Sequence, residues 1–130
     1  MKIEYLTDIN PSHPNEGIFR IFHFNFTEAG LFQEILARLS EGSIRSFHLN
    51  SLSFVTSVNN CRLVFKVGAK NEGILALPGG TFECILTRET YENMRSLVEP
   101  FCNENDASGF EWLYDTGDDI DLLFSRNGEW

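Results

Sequence analysis

Two segments of the chain carry hydrophobic residues at helical spacing. In the first, apolar residues recur on one face between Leu31 and Leu39, and Gly42 follows where a helix C-cap often needs a positive φ. The second covers residues 88–99, and Pro100 limits its continuation. The candidate N-caps are Asn25 or Thr27 for the first helix and Thr87 for the second.

Strand patterns account for most of the remaining chain. Residues 61–67 alternate between apolar and polar positions, which is typical of a strand with one buried face. Residues 18–24 carry large apolar side chains on both faces, which predicts a central strand. Residues 52–87 suggest an antiparallel meander, and residues 110–124 suggest a closing hairpin. Further short strands are predicted at residues 2–7, 44–49, 52–58, 74–77 and 81–86.

The order of these elements predicts the fold class. Two helices are set among many strands joined by short connections, which favours an α+β fold over a doubly wound parallel sheet. We therefore expect a single α+β domain over residues 1–130, with a largely antiparallel sheet of about six to eight strands and two helices. The 130 residues, 42% of them apolar, can form a core that needs no disulfide or metal.

The acidic residues are concentrated in the last quarter of the chain. The formal net charge is −9, and residues 99–130 hold nine acids and one base, so they contribute −8 of it. A chain with ten basic and nineteen acidic residues is poorly suited to neutralise phosphates, so we expect no nucleic-acid partner. The uneven charge is consistent with a surface for a basic partner, or with a solvated face that keeps the protein soluble.

The sequence predicts a cytoplasmic protein with no membrane association. It begins with no apolar run typical of a signal peptide, and no stretch approaches the ~20 apolar residues of a membrane span. Cys61, Cys84 and Cys102 are odd in number and lack CxxC spacing, so we expect reduced thiols, mostly buried.

The sequence shows no catalytic motif, so we expect a non-enzymatic protein in preference to an enzyme. The histidines His13, His23 and His48 are scattered, and no Gly-x-Ser-x-Gly nucleophile elbow is present. No phosphate-binding loop follows the Gly79-Gly80 pair. We expect no cofactor.

Metal and aspartic-protease chemistry fit the acidic run poorly. Counted from Asp115 as an EF-hand loop, position six is Ile120 and position twelve is Arg126, where calcium binding needs Gly and Glu. Asp115-Thr116-Gly117 is the triplet of aspartic proteases, but only thirteen residues follow it, too few for the flap and core strands of a small dimeric protease. We expect no metal site.

The closing segment carries a weak family resemblance. The pattern Phe110-x-Trp112-Leu113, followed by Ile120-x-Leu-Leu-x-Ser-x-x-Gly-x-Trp130, resembles the ending of various small uncharacterised bacterial proteins. It covers about twenty residues and implies a bacterial source and a closing hairpin. In general type, a small acidic α+β protein without catalytic motifs is similar to the immunity proteins of bacterial toxin systems.

The leading functional hypothesis is a non-enzymatic protein-binding module, immunity or antitoxin-like, that meets a basic protein partner through its acidic closing hairpin. Glu111 and Asp121 could lie on one outward face of the hairpin, where their repulsion would be relieved by a cation. The expected contact residues are Glu111, Asp115, Asp118, Asp119 and Asp121.

Two alternatives stay open at this point. The first is a small-molecule-binding domain, or an enzyme of unknown reaction, with an aromatic-lined pocket, although core packing is the favoured role for these aromatic residues. The second is association of identical chains through an exposed strand edge; the sequence does not predict the oligomeric state. The candidate pocket residues are Phe22, Phe24, Phe54, Phe65, Trp112 and Phe124.

Overall fold

The computed structural model describes residues 1–7, 17–103, 109–115 and 120–130, and these residues form nine strands and two α-helices. The α-helices are α1 (Phe26–Glu41) and α2 (Arg88–Val98), and short 3-10 helices cover Leu49–Ser51 and Glu99–Cys102. The strands are β1 (Lys2–Thr7), β2 (Gly17–Phe22), β3 (Ser46–His48), β4 (Thr56–Ser57), β5 (Arg62–Val67), β6 (Gly73–Ala76), β7 (Thr81–Leu86), β8 (Phe110–Tyr114) and β9 (Ile120–Ser125).

All nine strands belong to one mixed sheet, and the predicted α+β class is confirmed. The strand order is β3-β5-β7-β6-β9-β2-β1-β4, with β8 also beside β9. Five of the eight pairings among the described strands are antiparallel, so the sheet is largely antiparallel as expected, with one strand more than the upper estimate. Strand β2 lies between β1 and β9, which confirms its predicted central position.

The predicted meander over residues 52–87 is wrong in its strand order. β5 pairs in parallel with β7, and β6 lies on the far side of β7. The connection after β5 passes the end of β7, where Gly68 N–H donates to Leu86 O and Glu72 N–H donates to Ile85 O. Of residues 52–58, only Thr56–Ser57 forms a strand, and it pairs with β1. Alternating hydrophobicity identifies the buried face of a strand but not its neighbour.

The sheet is strongly curved. The rings of Tyr5 on β1 and Phe82 on β7 have centroids 4.4 Å apart, although four strand spacings separate these strands in the sheet. In a flat sheet that separation would be about 19 Å. The face that carries these rings is therefore concave, and Gly17 is needed there because a Cβ at this position would lie 2.3 Å from Tyr5 Oη.

The two α-helices cover the concave face. Phe32 of α1 stacks on Phe124 with ring centroids 5.4 Å apart and meets Phe65 at 5.8 Å. Tyr91 of α2 is fully buried beside Phe65. The predicted cap of α1 is confirmed, since Asn25 and Glu28 form a capping box. Among the described residues, both α-helices lie on this face.

Candidate functional site

The closing hairpin is the first part of the candidate site, and its prediction is confirmed. β8 and β9 pair in antiparallel fashion, with Phe110 opposite Ser125 and Trp112 opposite Leu123. A register shift follows between Trp112 and Tyr114. β9 is also held by a parallel pairing with β2 along its other edge. The hairpin is thus anchored to the centre of the sheet.

The strand register separates two of the predicted contact residues. Glu111 pairs with Phe124, and paired residues of an antiparallel ladder point to the same face. Phe124 is buried against α1, so Glu111 belongs to the concave side. Asp121 lies an odd number of positions from Phe124 and points to the convex side. The expectation that Glu111 and Asp121 share an outward face is therefore wrong, because alternation within a strand does not set the register between strands.

Of the three remaining predicted contact residues, the structure describes only Asp115. Asp115 directly follows β8 and is exposed. Asp118 and Asp119 lie outside the residues that the structure describes. The structure therefore places Asp115 at the tip and Asp121 on the convex face of the adjoining strand.

An open cavity of about 260 Å³ lies on the convex side of the hairpin, against the segment of residues 126–130. We call it the tail cavity. Two of its walls are aromatic and half-exposed, with 42% of Phe110 and 47% of Trp130 accessible to solvent. Trp112 extends this aromatic surface, because its ring centroid lies 6.3 Å from that of Phe110. The lining residues are Gly109, Phe110, Ser125, Asn127, Glu129 and Trp130.

Arg20 fixes the 126–130 segment on the convex face. Its Nε donates to Glu4 Oε1 at 2.8 Å, and its Nη1 donates to Gly128 O at 2.9 Å. The guanidinium carbon lies 3.9 Å from the centroid of the Phe22 ring and 6.0 Å from that of Trp130. One cation therefore connects β1, β2 and the segment that carries Trp130.

Two further features hold this segment close to the sheet. Ser125 Oγ donates to Glu129 O at 2.7 Å. Gly128 has φ +81°, and a Cβ there would lie 3.0 Å from Arg20 Nη1 and 3.1 Å from the Phe22 ring. A side chain at residue 128 would be strained and would displace the guanidinium. The backbone on one side of the tail cavity is therefore held to β2 and β9.

The aromatic residues proposed as a pocket from the sequence are divided between two sides of the sheet. Phe24, Phe65 and Phe124 are buried in the core, and Phe24 stacks on Phe124 with centroids 4.1 Å apart. Phe54 is partly buried against the same core. Phe22 and Trp112 lie on the convex side, so the six residues do not line one pocket.

The thiols are held in their protonated form. Burial raises the pKa of Cys84 to about 12, although a hydrogen bond from Tyr91 acts in the opposite direction. Burial also raises the pKa of Cys61, where Ser57 Oγ donates to the sulfur at 3.3 Å. Burial and the nearby Glu99 raise the pKa of Cys102. A nucleophilic cysteine needs the opposite shift, toward the thiolate.

The described part of the chain holds neither a cluster of metal-ligating side chains nor a helix that could span a membrane. No three His, Cys, Asp or Glu side chains of these residues are grouped so that they could hold a metal ion. The helices of these residues are too short or too polar to cross a membrane.

Comparison with known proteins identifies no family. No protein-family model matches the chain, and no curated protein sequence matches it at a significant level. The function is therefore inferred from the geometry of the convex face.

Two parts of this face could not be inferred from the sequence. Arg20 and the 126–130 segment are more than a hundred residues apart, and only the parallel pairing of β2 with β9 brings them together. The sequence offered one signal for this face, the large aromatic residues Phe110 and Trp130 in and beside the acidic hairpin.

Proposed function

We propose that this protein is a non-enzymatic binding module that recognises a basic protein partner through the convex side of its closing hairpin. The observation that carries the proposal is the exposure of Phe110 and Trp130 around the tail cavity, within the segment that holds nine acids and one base. Exposed aromatic side chains beside a cavity are typical of the central contacts of protein interfaces.

The acidic residues and the aromatic residues have different roles in this proposal. The charge of −8 over residues 99–130 attracts a basic protein and increases the rate of encounter. Phe110 and Trp130 then supply apolar contact area once the surfaces have met. Asp121 lies on the convex face of β9, four residues before Ser125 of the cavity lining, and Asp115 lies at the other end of the hairpin.

A finer form of the proposal is an immunity or antitoxin-like protein of the bacterial cytoplasm. Such a protein acts by covering a partner and needs no catalytic group of its own. The protonated thiols of Cys61, Cys84 and Cys102 are compatible with this form. The acidic surface would then meet a basic toxin.

Small-molecule binding is the second candidate, and the tail cavity is the observation in its favour. Sites for drug-sized ligands occupy roughly 300–1,000 Å³. The tail cavity has about 260 Å³ and is open to solvent, so its size fits one side chain better than a cofactor.

The proposal is tested by capturing partners on the immobilised protein and on two charge-matched variants. The first variant replaces Asp118, Asp119 and Asp121 by Asn. The control removes the same number of charges from the body of the chain, by Glu41→Gln, Glu72→Gln and Glu89→Gln at three exposed positions. We expect the wild type and the control to retain the same basic protein, the hairpin variant to lose it, and salt to release it.

Two results would contradict the proposal. One is a captured partner that is acidic or neutral. The other is equal retention by the hairpin variant and the wild type, because the acidic hairpin would then have no part in binding. A purified captured partner allows the same comparison by calorimetry, so that avidity on the resin does not affect the result.

A further inference from the structure

On the basis of the proposed function, we propose that the tail cavity receives an arginine side chain of the partner. The lining offers three kinds of group that bind a guanidinium. These are the aromatic rings of Phe110 and Trp130, the carboxylate of Glu129, and the side-chain oxygens of Ser125 and Asn127.

The protein already holds one guanidinium in this manner beside the cavity. Arg20 lies over the Phe22 ring, pairs with the Glu4 carboxylate and donates to the carbonyl of Gly128. The tail cavity repeats the combination of aromatic ring, carboxylate and oxygen acceptor. None of the described residues that line it is a cation. The equivalent position in the tail cavity is thus available to an arginine side chain of the partner.

The charges around the cavity also favour a cationic occupant. Glu4 balances Arg20, since the Arg20 Nη2 to Glu4 Oε1 distance is 2.6 Å. No described residue forms an ion pair with the Glu129 carboxylate, which therefore remains to balance an incoming charge. Among the described residues, the cavity lining therefore carries one acidic side chain and no basic one, which favours a cation over an anion.

The shape of the site favours arginine over lysine. A guanidinium is planar and stacks on aromatic rings, and it presents its donors in a fixed fork. Phe110 and Trp130 are half-exposed, so they offer ring surface to such a plane. Lysine carries a compact ammonium that is strongly hydrated and gains less from stacking.

The test is a titration of the ¹⁵N-labelled protein with N-acetyl-arginine methylamide, followed by the indole N–H resonances of Trp130 and Trp112. The comparison compound is N-acetyl-citrulline methylamide, which has nearly the same shape and no charge. We expect the arginine compound to shift the Trp130 resonance in a saturable way and the citrulline compound to bind roughly fivefold more weakly or not at all.

Three variants assign the effect to the cavity. Glu129→Gln and Phe110→Ala should each weaken binding of the arginine compound by roughly threefold. The control Glu72→Gln removes an exposed carboxylate elsewhere and should leave binding unchanged. Spectra of the free variants that match the wild type away from residues 109–130 establish that each variant is folded.

Equal shifts with both compounds, or no saturable shift of Trp130, would overturn the arginine site. So would unchanged binding by the Glu129→Gln variant. In either case, the proposed function would still hold if the protein captured a basic partner through its acidic hairpin. Only the arginine site would then be wrong. Conversely, if the protein captures no basic partner through the hairpin but still binds the arginine compound, the proposed function is wrong and the arginine site is kept.

Discussion

Replacing Arg20 by Met tests the central feature of the convex face. Methionine keeps much of the apolar stem but removes the guanidinium, which lies over the Phe22 ring. The change therefore deletes the ion pair with Glu4 and the hydrogen bond to Gly128 O together. Arg20 connects β1, β2 and the 126–130 segment, so both the stability of the sheet and the position of Trp130 should respond.

The expected loss follows from the geometry. The Arg20 and Glu4 side chains are 20% and 16% exposed, so solvent screens their attraction only in part. A hydrogen bond with a charged partner contributes about 1.5–3 kcal/mol when buried, and an exposed ion pair at most about 1 kcal/mol. For this intermediate burial we expect the free energy of unfolding to fall by about 2 kcal/mol.

The measurement is urea unfolding followed by circular dichroism. With a urea dependence of roughly 1–3 kcal/mol per molar, a loss of about 2 kcal/mol lowers the midpoint by about 1 M. Combining Arg20→Met with Glu4→Gln in a double-mutant cycle isolates the pair, and we expect a coupling energy of about 1 kcal/mol. Hydrogen exchange should also become faster in the 126–130 segment of the Arg20→Met variant.

The control is Arg38→Met, which removes another arginine that pairs with a glutamate. Arg38 and Glu34 lie one turn apart on α1 and are 57% and 56% exposed, so this change should cost less than about 0.5 kcal/mol. Equal effects of Arg20→Met and Arg38→Met would refute the reasoning. An Arg20→Met variant that keeps wild-type exchange in the 126–130 segment would refute it as well.

Three further predictions concern the rest of the fold. Gly30→Ala should stabilise α1 by about 0.5–1 kcal/mol, because a Cβ at this position meets nothing within 4 Å. Gly42→Ala should destabilise α1 by about 1 kcal/mol, because the φ of residue 42 is +79°. Both are measured by urea unfolding. Tyr91→Phe should cost about 1–2 kcal/mol by the same assay, since its hydroxyl meets two backbone carbonyls at 2.8 Å. Iodoacetamide at pH 8 should modify Cys102 before Cys84, whose pKa is raised to about 12, with the sites identified by mass spectrometry.

Local patterns in the sequence predict the elements of this fold well. The Asn25 cap, the Gly42 C-cap and the Thr87 cap depend on residues within a few positions of the helix end, and all three are confirmed. The alternation of residues 61–67 likewise identifies β5, with Leu63 and Phe65 fully buried. Such features are determined by neighbouring residues, so the sequence alone contains them.

Pairings between distant strands could not be predicted in the same way. The parallel contact of β5 with β7 and that of β2 with β9 depend on which strands fit together in a curved sheet. Several different strand orders are consistent with the same hydrophobic alternation. The same limitation explains the error over Glu111 and Asp121, whose faces depend on the register of β8 against β9.

The charge of the sequence drew attention to the closing hairpin, but none of the five contact residues expected from it is among the described lining of the tail cavity. Charge is a sum over residues 99–130 and needs no fold to be counted. The tail cavity requires three distant parts of the chain, because Arg20 holds Gly128 in place while Phe110 is supplied by the hairpin. The net charge follows from the composition alone, whereas contacts between distant segments depend on the fold.

The distribution of charge and of aromatic surface gives the binding proposal its direction. Residues 1–98 carry a net charge near zero, so the field of the molecule originates almost entirely from its closing quarter. On the binding proposal, this field would draw a basic protein to the hairpin before any contact forms. Salt screens exposed charges, so capture that depends on them would weaken as the salt concentration rises. The aromatic walls of the tail cavity would add apolar contact area that salt does not screen, and Arg20 holds the segment that carries Trp130 through its contact with Gly128.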